Sequence, residues 1–194
     1  MIQTLLLMLL GYLIGAIPTG WLLARSIGIS DITRYGSGSS GATNVARIAG
    51  LKYFFIVLFL DSAKAFLFIN WLRIMHFNPI IILMSAVALL IGNSISFFLQ
   101  GKGGKGVATA LGILLALNGW LVYCAAIVWF FILIMTKNIG IASVAGLISL
   151  PFFAFYWVSS DTMLLCLVIF ICCWGLWRHE TNIKKYLSLD KASI

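Results

Sequence analysis

Six apolar runs, at about 3–24, 53–72, 79–99, 107–135, 139–158 and 161–177, fill most of this chain. They constrain the fold more than any other feature. Backbone that leaves water must pair its own amides and carbonyls, and a hydrocarbon core of roughly 30 Å is crossed by about 20 apolar residues in a helix. Composition agrees: of 194 residues, 62% are hydrophobic and 9% charged, whereas a soluble domain has about 45–50% and 25%. An ordinary soluble fold and a disordered chain are both excluded. The predicted fold is an all-α integral membrane protein, a single membrane domain over 1–194 with no internal repeat.

The number of spans turns on one run. Residues 107–135 would measure about 43 Å as one helix at 1.5 Å per residue, longer than a modest tilt absorbs, and Asn118-Gly119 interrupts them. Divided into 107–117 and 119–135, with the N-terminus outside and the C-terminus cytoplasmic, the chain has seven transmembrane helices. Eleven of the 13 Lys and Arg then lie inside: Arg25, Arg34, Arg47, Lys52, Lys102, Lys105, Lys137, Arg178, Lys184, Lys185 and Lys191. Arg73 faces outward and Lys64 lies within a span. One unbroken span would put Lys137 and the basic C-terminus outside, against the positive-inside tendency. The 107–117 segment, about 16 Å long, is too short to cross alone; it is either re-entrant or runs beneath the headgroups. Pro79 fits a helix start and Pro151 a tolerated kink. The first run has no basic leader and is followed by further spans, so it reads as an uncleaved helix. Cys124, Cys166, Cys172 and Cys173 sit in apolar runs with no metal-ligand spacing and read as small buried hydrophobes.

Chemistry is therefore confined to three cytoplasmic stretches, 25–50, 100–106 and 178–194. The net charge of +8 on so little polar surface points to the inner leaflet rather than to nucleic acid. The first stretch holds Gly36, Gly38 and Gly41, the second Gly101, Gly103 and Gly106, each in a GxGxxG pattern. Neither follows a strand, so dinucleotide binding fails on context, and Gly106 stands where a Walker A loop needs Ser or Thr. The underlying physics survives: glycines let successive amides point into one concavity, and a following helix N-terminus adds positive potential. With Arg47, Lys102 and Lys105 alongside, such a cradle suits phosphate. Ser37, Ser39, Ser40, Thr43 and Asn44 serve equally as helix caps or ligand contacts, Thr43 and Asn44 preceding a short helix to Ala49. In the third stretch, His179 and Asn182 share a face if the last helix continues into the cytoplasm. Trp177 and Tyr186 fit an interfacial belt, and His76, on the outer side, reads as inert. Asp61 and Lys64, at i and i+3 within a span, read as a structural ion pair that locks their helix.

These stretches resemble a known family. GSGSSGATNVAR, GKGGKGVAT and His-x-x-Asn-Ile, with GYLIGAIPTGWLLA and LDSAK before them, are similar to the bacterial acyl-phosphate-dependent glycerol-3-phosphate acyltransferases (the PlsY family) over nearly the whole chain. The chain departs from the family pattern at Ser39 (usually Asn), Asn93 (His), Ser96 (Pro), Thr181 (Glu) and Lys185 (Arg). The resemblance implies a seven-helix enzyme of the bacterial inner membrane with its site facing the cytoplasm. It would transfer a fatty acyl group from acyl phosphate to sn-glycerol 3-phosphate, releasing lysophosphatidic acid and phosphate, without metal, cofactor or acyl-CoA. The implied catalytic residues are Ser37, Arg47, Lys105, His179 and Asn182. Gly38, Gly41, Thr43, Asn44, Lys102, Gly103, Gly104 and Gly106 are the substrate-binding candidates. The implied partners are the two substrates, membrane lipid and the enzyme that supplies acyl phosphate.

Phosphate leaves readily, so the reaction asks for positioning and charge stabilisation rather than a strong acid. Arg47 and Lys105 would take the two phosphates, and Ser37, His179 and Asn182 would orient the acceptor. Either His179 or a donor phosphate oxygen takes the hydroxyl proton. The HxxxxD pattern of acyl-CoA-dependent acyltransferases is absent: Ile81 and Lys184 occupy that offset from His76 and His179. Two other readings stand beside this one. A small anion or phosphate-ester transporter would use Asp61, Lys64 and the broken 107–135 run; a catalytically silent paralogue would account for Ser39, Asn93 and Thr181.

Overall fold

Proline and asparagine punctuate the apolar runs. In the computed structural model, which describes residues 1–191, the regular elements are helices: α1 (Ile2–Ala16), α2 (Thr19–Ser26), α3 (Ala42–Ala49), α4 (Leu51–Ile74), α5 (Pro79–Ser94), α6 (Val107–Leu117), α7 (Gly119–Thr136), α8 (Ile139–Trp157), α9 (Thr162–Arg178) and α10 (Glu180–Lys191). Pro79 opens α5, where its missing N–H costs nothing, and Asn78 caps that helix through Ile80 N–H at 2.9 Å. Asn118 divides the 107–135 run as its length requires, accepting from the amides of Trp120 and Leu121. Asn138 and Asp161 cap α8 and α9 in the same way. Pro151 is carried inside α8.

The first run departs from expectation. It is two helices rather than one, because Pro18 supplies no N–H to the turn before it and ends α1. Among the described residues, five apolar segments are long enough to cross a membrane: Ile2–Ser26, Leu51–Ile74, Pro79–Leu99, Gly119–Thr136 and Ile139–Trp157; Val107–Leu117 and Thr162–Arg178 are shorter. The cysteines also differ from expectation: Cys172 is buried and Cys124 partly so, but Cys166 and Cys173 are exposed on α9. A thiol gains nothing by avoiding an apolar solvent, so the inside-only rule weakens there.

Packing divides the chain into two compact units at Leu117/Asn118. In the first, α1 and α5 run in the same direction at close range. Gly11 lies against the Ser85 carbonyl, Gly15 against that of Leu89, and Gly92 against that of Tyr12. A Cβ at Gly15 or Gly92 would collide with backbone, so this is a small-residue crossing. α6 lies along the second half of α4, also in the same direction. Ser62 Oγ–H donates to the Ala108 carbonyl at 2.9 Å, Gly112 sits on the Ser62 carbonyl, and Arg73 donates to the Ala116 carbonyl near the end of α6. The N-terminus of α6 is thus level with the middle of α4. α6 therefore follows only the second half of α4, to its end.

The break at Pro18 leaves the last carbonyls of α1 without helical partners. Side chains from α4 and the segment after α5 supply them. Lys64 Nζ donates to the carbonyls of Gly15 (2.9 Å) and Ile17 (2.8 Å), and Ser96 Oγ–H to that of Ala16 (2.6 Å). Lys64 is paired with Asp61 Oδ1 at 2.7 Å, and that oxygen also accepts from Thr19 Oγ–H at 2.6 Å. The expected ion pair is present, and it is tied to the negative end of α1. In the second unit, α8 packs against both α7 and α9; Trp129 Nε1–H donates to Ser143 Oγ, and Gly175 admits Leu147.

Gly15→Ala must push α1 off α5 and should lower stability in detergent by about 1–3 kcal/mol. Gly119→Ala, at a helix start with open space around it, should be neutral or stabilising by less than about 1 kcal/mol. Denaturant unfolding of the two variants checks both.

Candidate active site

The first glycine loop is held by one side chain. Asn44, in the first turn of α3 and 1% exposed, turns its amide back under residues 32–39. Its Oδ1 accepts from Ser37 N–H (2.8 Å), and its Nδ2 donates to the carbonyls of Ser39 (2.8 Å), Tyr35 (3.0 Å) and Ile32 (3.3 Å). Gly41, not Thr43 or Asn44, is the N-cap of α3; the expected capping role fails because the helix starts one residue before Thr43. Asn44 therefore spends its polar atoms on the loop itself. Gly36, at φ +60°, takes a left-handed conformation that L side chains resist, and a Cβ there would fall on Asn44 Oδ1.

Ile32 anchors the loop in a buried cluster with Ala24, Val45 and Val57. Asp31 closes its start, accepting from Thr33 N–H at 3.0 Å and Thr33 Oγ–H at 2.7 Å, with Arg34 at 3.3 Å. The hydroxyl bond from Thr33 is the main influence holding the Asp31 carboxyl below its ordinary value of 3.8. Its folded pKa lies below the unfolded one, so this hold on the loop is present above the carboxylate range and lost as pH falls through the lowered pKa.

Above this scaffold Ser37 and Arg47 are exposed and Gly38 and Thr43 half-buried. Arg47, in the last turn of α3, reaches back over the loop, with Nη1 3.5 Å from Asn44 Oδ1. The amides of Ala42 and Thr43 precede the first intrahelical bonds of α3, which Asn44 and Val45 make to the Gly41 carbonyl.

The second glycine loop meets the first. A Cβ at Gly41 would stand 3.4 Å from Gly104 Cα and 3.9 Å from Lys105 N, and one at Gly104 would stand 3.6 Å from Gly41 Cα. Two backbones touch where neither carries a side chain. Gly103, Gly104 and Gly106 are buried, Lys105 is half-buried and Lys102 is exposed. Gly41 caps α3, and Lys105 lies two residues before α6, so the positive ends of two helix dipoles approach each other beside Lys105. Chemically, such an arrangement suits an anion.

His179 and Asn182 belong to the second unit. They do not lie on one continuous helix as expected: α9 ends at Arg178, His179 is its C-cap, and α10 starts at Glu180. The two residues stay coupled, because the His179 carbonyl accepts from the amides of Asn182 (2.9 Å) and Ile183 (3.0 Å). The imidazole is 3% exposed, and its Nδ1 lies 2.8 Å from the Gly175 carbonyl. A carbonyl can only accept, so Nδ1 carries the proton and Nε2 is the basic nitrogen of the neutral ring. The Asn182 amide lies over Gly140 at the start of α8, where a Cβ would strike it. Among the described residues no cluster of His, Cys, Asp or Glu could hold a metal. The Lys185 side chain and the end of the 178–194 tail lie outside the described residues.

The class of protein defined here is an integral membrane protein, and comparison with known proteins names the family. The chain belongs to the glycerol-3-phosphate acyltransferase family, whose model matches residues 5–189. It is 33% identical to the glycerol-3-phosphate acyltransferase of Aromatoleum aromaticum, covering 98% of this chain and 96% of that one. To that of Rippkaea orientalis it is 35% identical, covering 97% and 92%. It is similar to crystal structures of PlsY, an integral membrane glycerol 3-phosphate acyltransferase, in its glycerol 3-phosphate form (TM-score 0.88) and its lysophosphatidic acid form (0.87). Both are 32% identical, covering 96% of this chain and 92% of theirs.

Asn44→Asp replaces a two-donor amide with an acceptor facing three carbonyls. It should destabilise the loop by at least about 1–3 kcal/mol and as much as Asn44→Ala does. Faster amide hydrogen exchange at residues 31–41 checks this; wild-type protection would refute the bonding scheme.

Proposed function

We propose that this acyltransferase uses acyl phosphate as donor, acylating the glycerol 3-phosphate hydroxyl to lysophosphatidic acid and releasing inorganic phosphate. The observation that carries the reading is the contact of the two glycine loops at Gly41 and Gly104, with Lys105 next to it and Arg47 reaching over the first loop at Gly36 and Asn44. Two substrates that both bear phosphate need two cationic anchors within one small molecule's length. Arg47 and Lys105 are those anchors, with Lys102 at the rim. Ser37, Gly38, Gly41, Thr43, Gly103, Gly104 and Gly106 line the cradle, and Asn44 holds its shape. The reading gives His179 and Asn182 the part of orienting the acceptor.

In the reaction the acceptor oxygen bonds to the acyl carbon, and the carbon–oxygen bond to phosphate breaks with its electron pair leaving on phosphate. Loop amides oppose the charge that builds on the carbonyl oxygen. The hydroxyl proton passes to His179 Nε2 or to a donor phosphate oxygen.

The proposed topology has seven crossings, the short α6 completing one of them from the level of mid-α4, with the N-terminus outside and the site facing the cytoplasm of the bacterial inner membrane. The shared directions of α1 with α5 and of α4 with α6 support it, since each pair then crosses the same way. The enzyme that makes acyl phosphate is the proposed upstream partner. The transporter reading has no observation in its favour: Asp61 and Lys64 are bound to each other and to α1.

Purified protein should transfer acyl groups to glycerol 3-phosphate from acyl phosphate and not from acyl-CoA; the reverse preference would sink the donor assignment. Arg47→Ala and Lys105→Ala should each lower kcat/KM by about two to three orders of magnitude, the scale of losing a charge-assisted phosphate contact. His179→Ala separates the proton routes. A loss that grows as pH rises through the imidazole range assigns the proton to Nε2, whereas a mild loss at all pH values assigns it to phosphate.

A further inference from the structure

The ion pair on α4 and the glycine loop at 101–106 are joined by a residue to which the reaction gives no role. Asn93, in the last turn of α5, is 7% exposed. Its Oδ1 accepts from Lys64 Nζ at 3.3 Å, while Lys64 is held by Asp61 and two carbonyls of α1. Its Nδ2 faces the second glycine loop, standing 3.2 Å from where a Cβ of Gly104 would be. Its main-chain carbonyl accepts from Gly104 N–H at 2.9 Å. Gly103 packs so closely on the carbonyls of Asn93 and Ser94 that no Cβ fits between them. One amide thus touches a buried ammonium at one end and, at the other, the backbone immediately before Lys105.

We propose that Asn93 is a positioning residue: through Lys64 it registers the 101–106 loop against the α1–α4 ion-pair anchor, and so sets where Lys105 and the Gly104 backbone meet substrate phosphate. This rests on the proposed role of Lys105, but the registration itself is a property of the fold. The Lys64 ammonium selects which end of the amide points toward it, because only Oδ1 can accept. That choice turns Nδ2 toward Gly104. Without the amide, the main-chain bond from Gly104 remains but the loop loses its side support. Phosphate binding should then suffer more than turnover of bound substrate.

Asn93→Leu removes both ends at similar volume. The KM for glycerol 3-phosphate or for acyl phosphate should rise about tenfold with kcat within about threefold, and amide exchange at 101–106 should quicken by about tenfold, the scale of one hydrogen bond. A residue that only packs α5 would instead lower the melting temperature and the active fraction, cutting kcat at constant KM; that result overturns the proposal. Asn93→Asp guards against simple misfolding, since a carboxylate keeps Lys64 paired and replaces only the NH2 group packed against Gly104 with an anionic oxygen. It should fold, raise KM and quicken exchange at 101–106, and wild-type values for both would refute the link. Hydrogen exchange reads the coupling without any catalysis. If wild-type protein fails to use acyl phosphate while Asn93→Asp still loosens 101–106, the donor assignment falls and the coupling stands.

Discussion

A lysine ammonium within an apolar span is tolerable when its charge is answered on every side, and the first unit is organised around that demand. Lys64 carries a carboxylate, two carbonyls of a broken helix and an amide oxygen. The break at Pro18 is what makes those carbonyls available, and the lysine in turn supplies the partners that the break removed. Neither feature is stable without the other. Because the same cluster fixes the end of α1, the middle of α4 and the end of α5, it sets the platform on which the second glycine loop sits.

Close backbone contact is the second device, and it operates at two scales. Glycines let α1 lie on α5 and α6 on α4, which brings carbonyls within reach of Ser62, Lys64 and Ser96. Glycines then let the first and second loops touch at Gly41 and Gly104. The short α6 follows from the same geometry: starting level with the middle of α4, it aims its N-terminal dipole at the second loop. A full-length span would carry that positive end away.

How much was legible in the sequence depended on range. Asn78, Asn118, Asn138 and Asp161 cap helices within three residues of themselves, so the boundaries they set could be read directly. The glycine spacing likewise marked the two loops that meet at Gly41 and Gly104. Asn44 was harder, since an amide two residues into a helix reads equally as cap, ligand contact or loop organiser until its four backbone partners are seen. The break at His179 was missed because the apolar run ends there and periodicity has nothing further to report.

By itself the chain of residues determined that it would live in a membrane as helices, where several of those helices would start, and where its glycine loops would fall. Hydropathy, capping and charge act over a few residues and are written locally. Only the tertiary structure decided that Lys64 would cap a helix 47 and 49 positions away, that Asn93 would stand between it and Gly104, and that α6 would begin deep beside α4. Those relations depend on which helix faces approach to backbone contact. That is a property of side-chain volume at crossings between distant segments, and no local pattern encodes it.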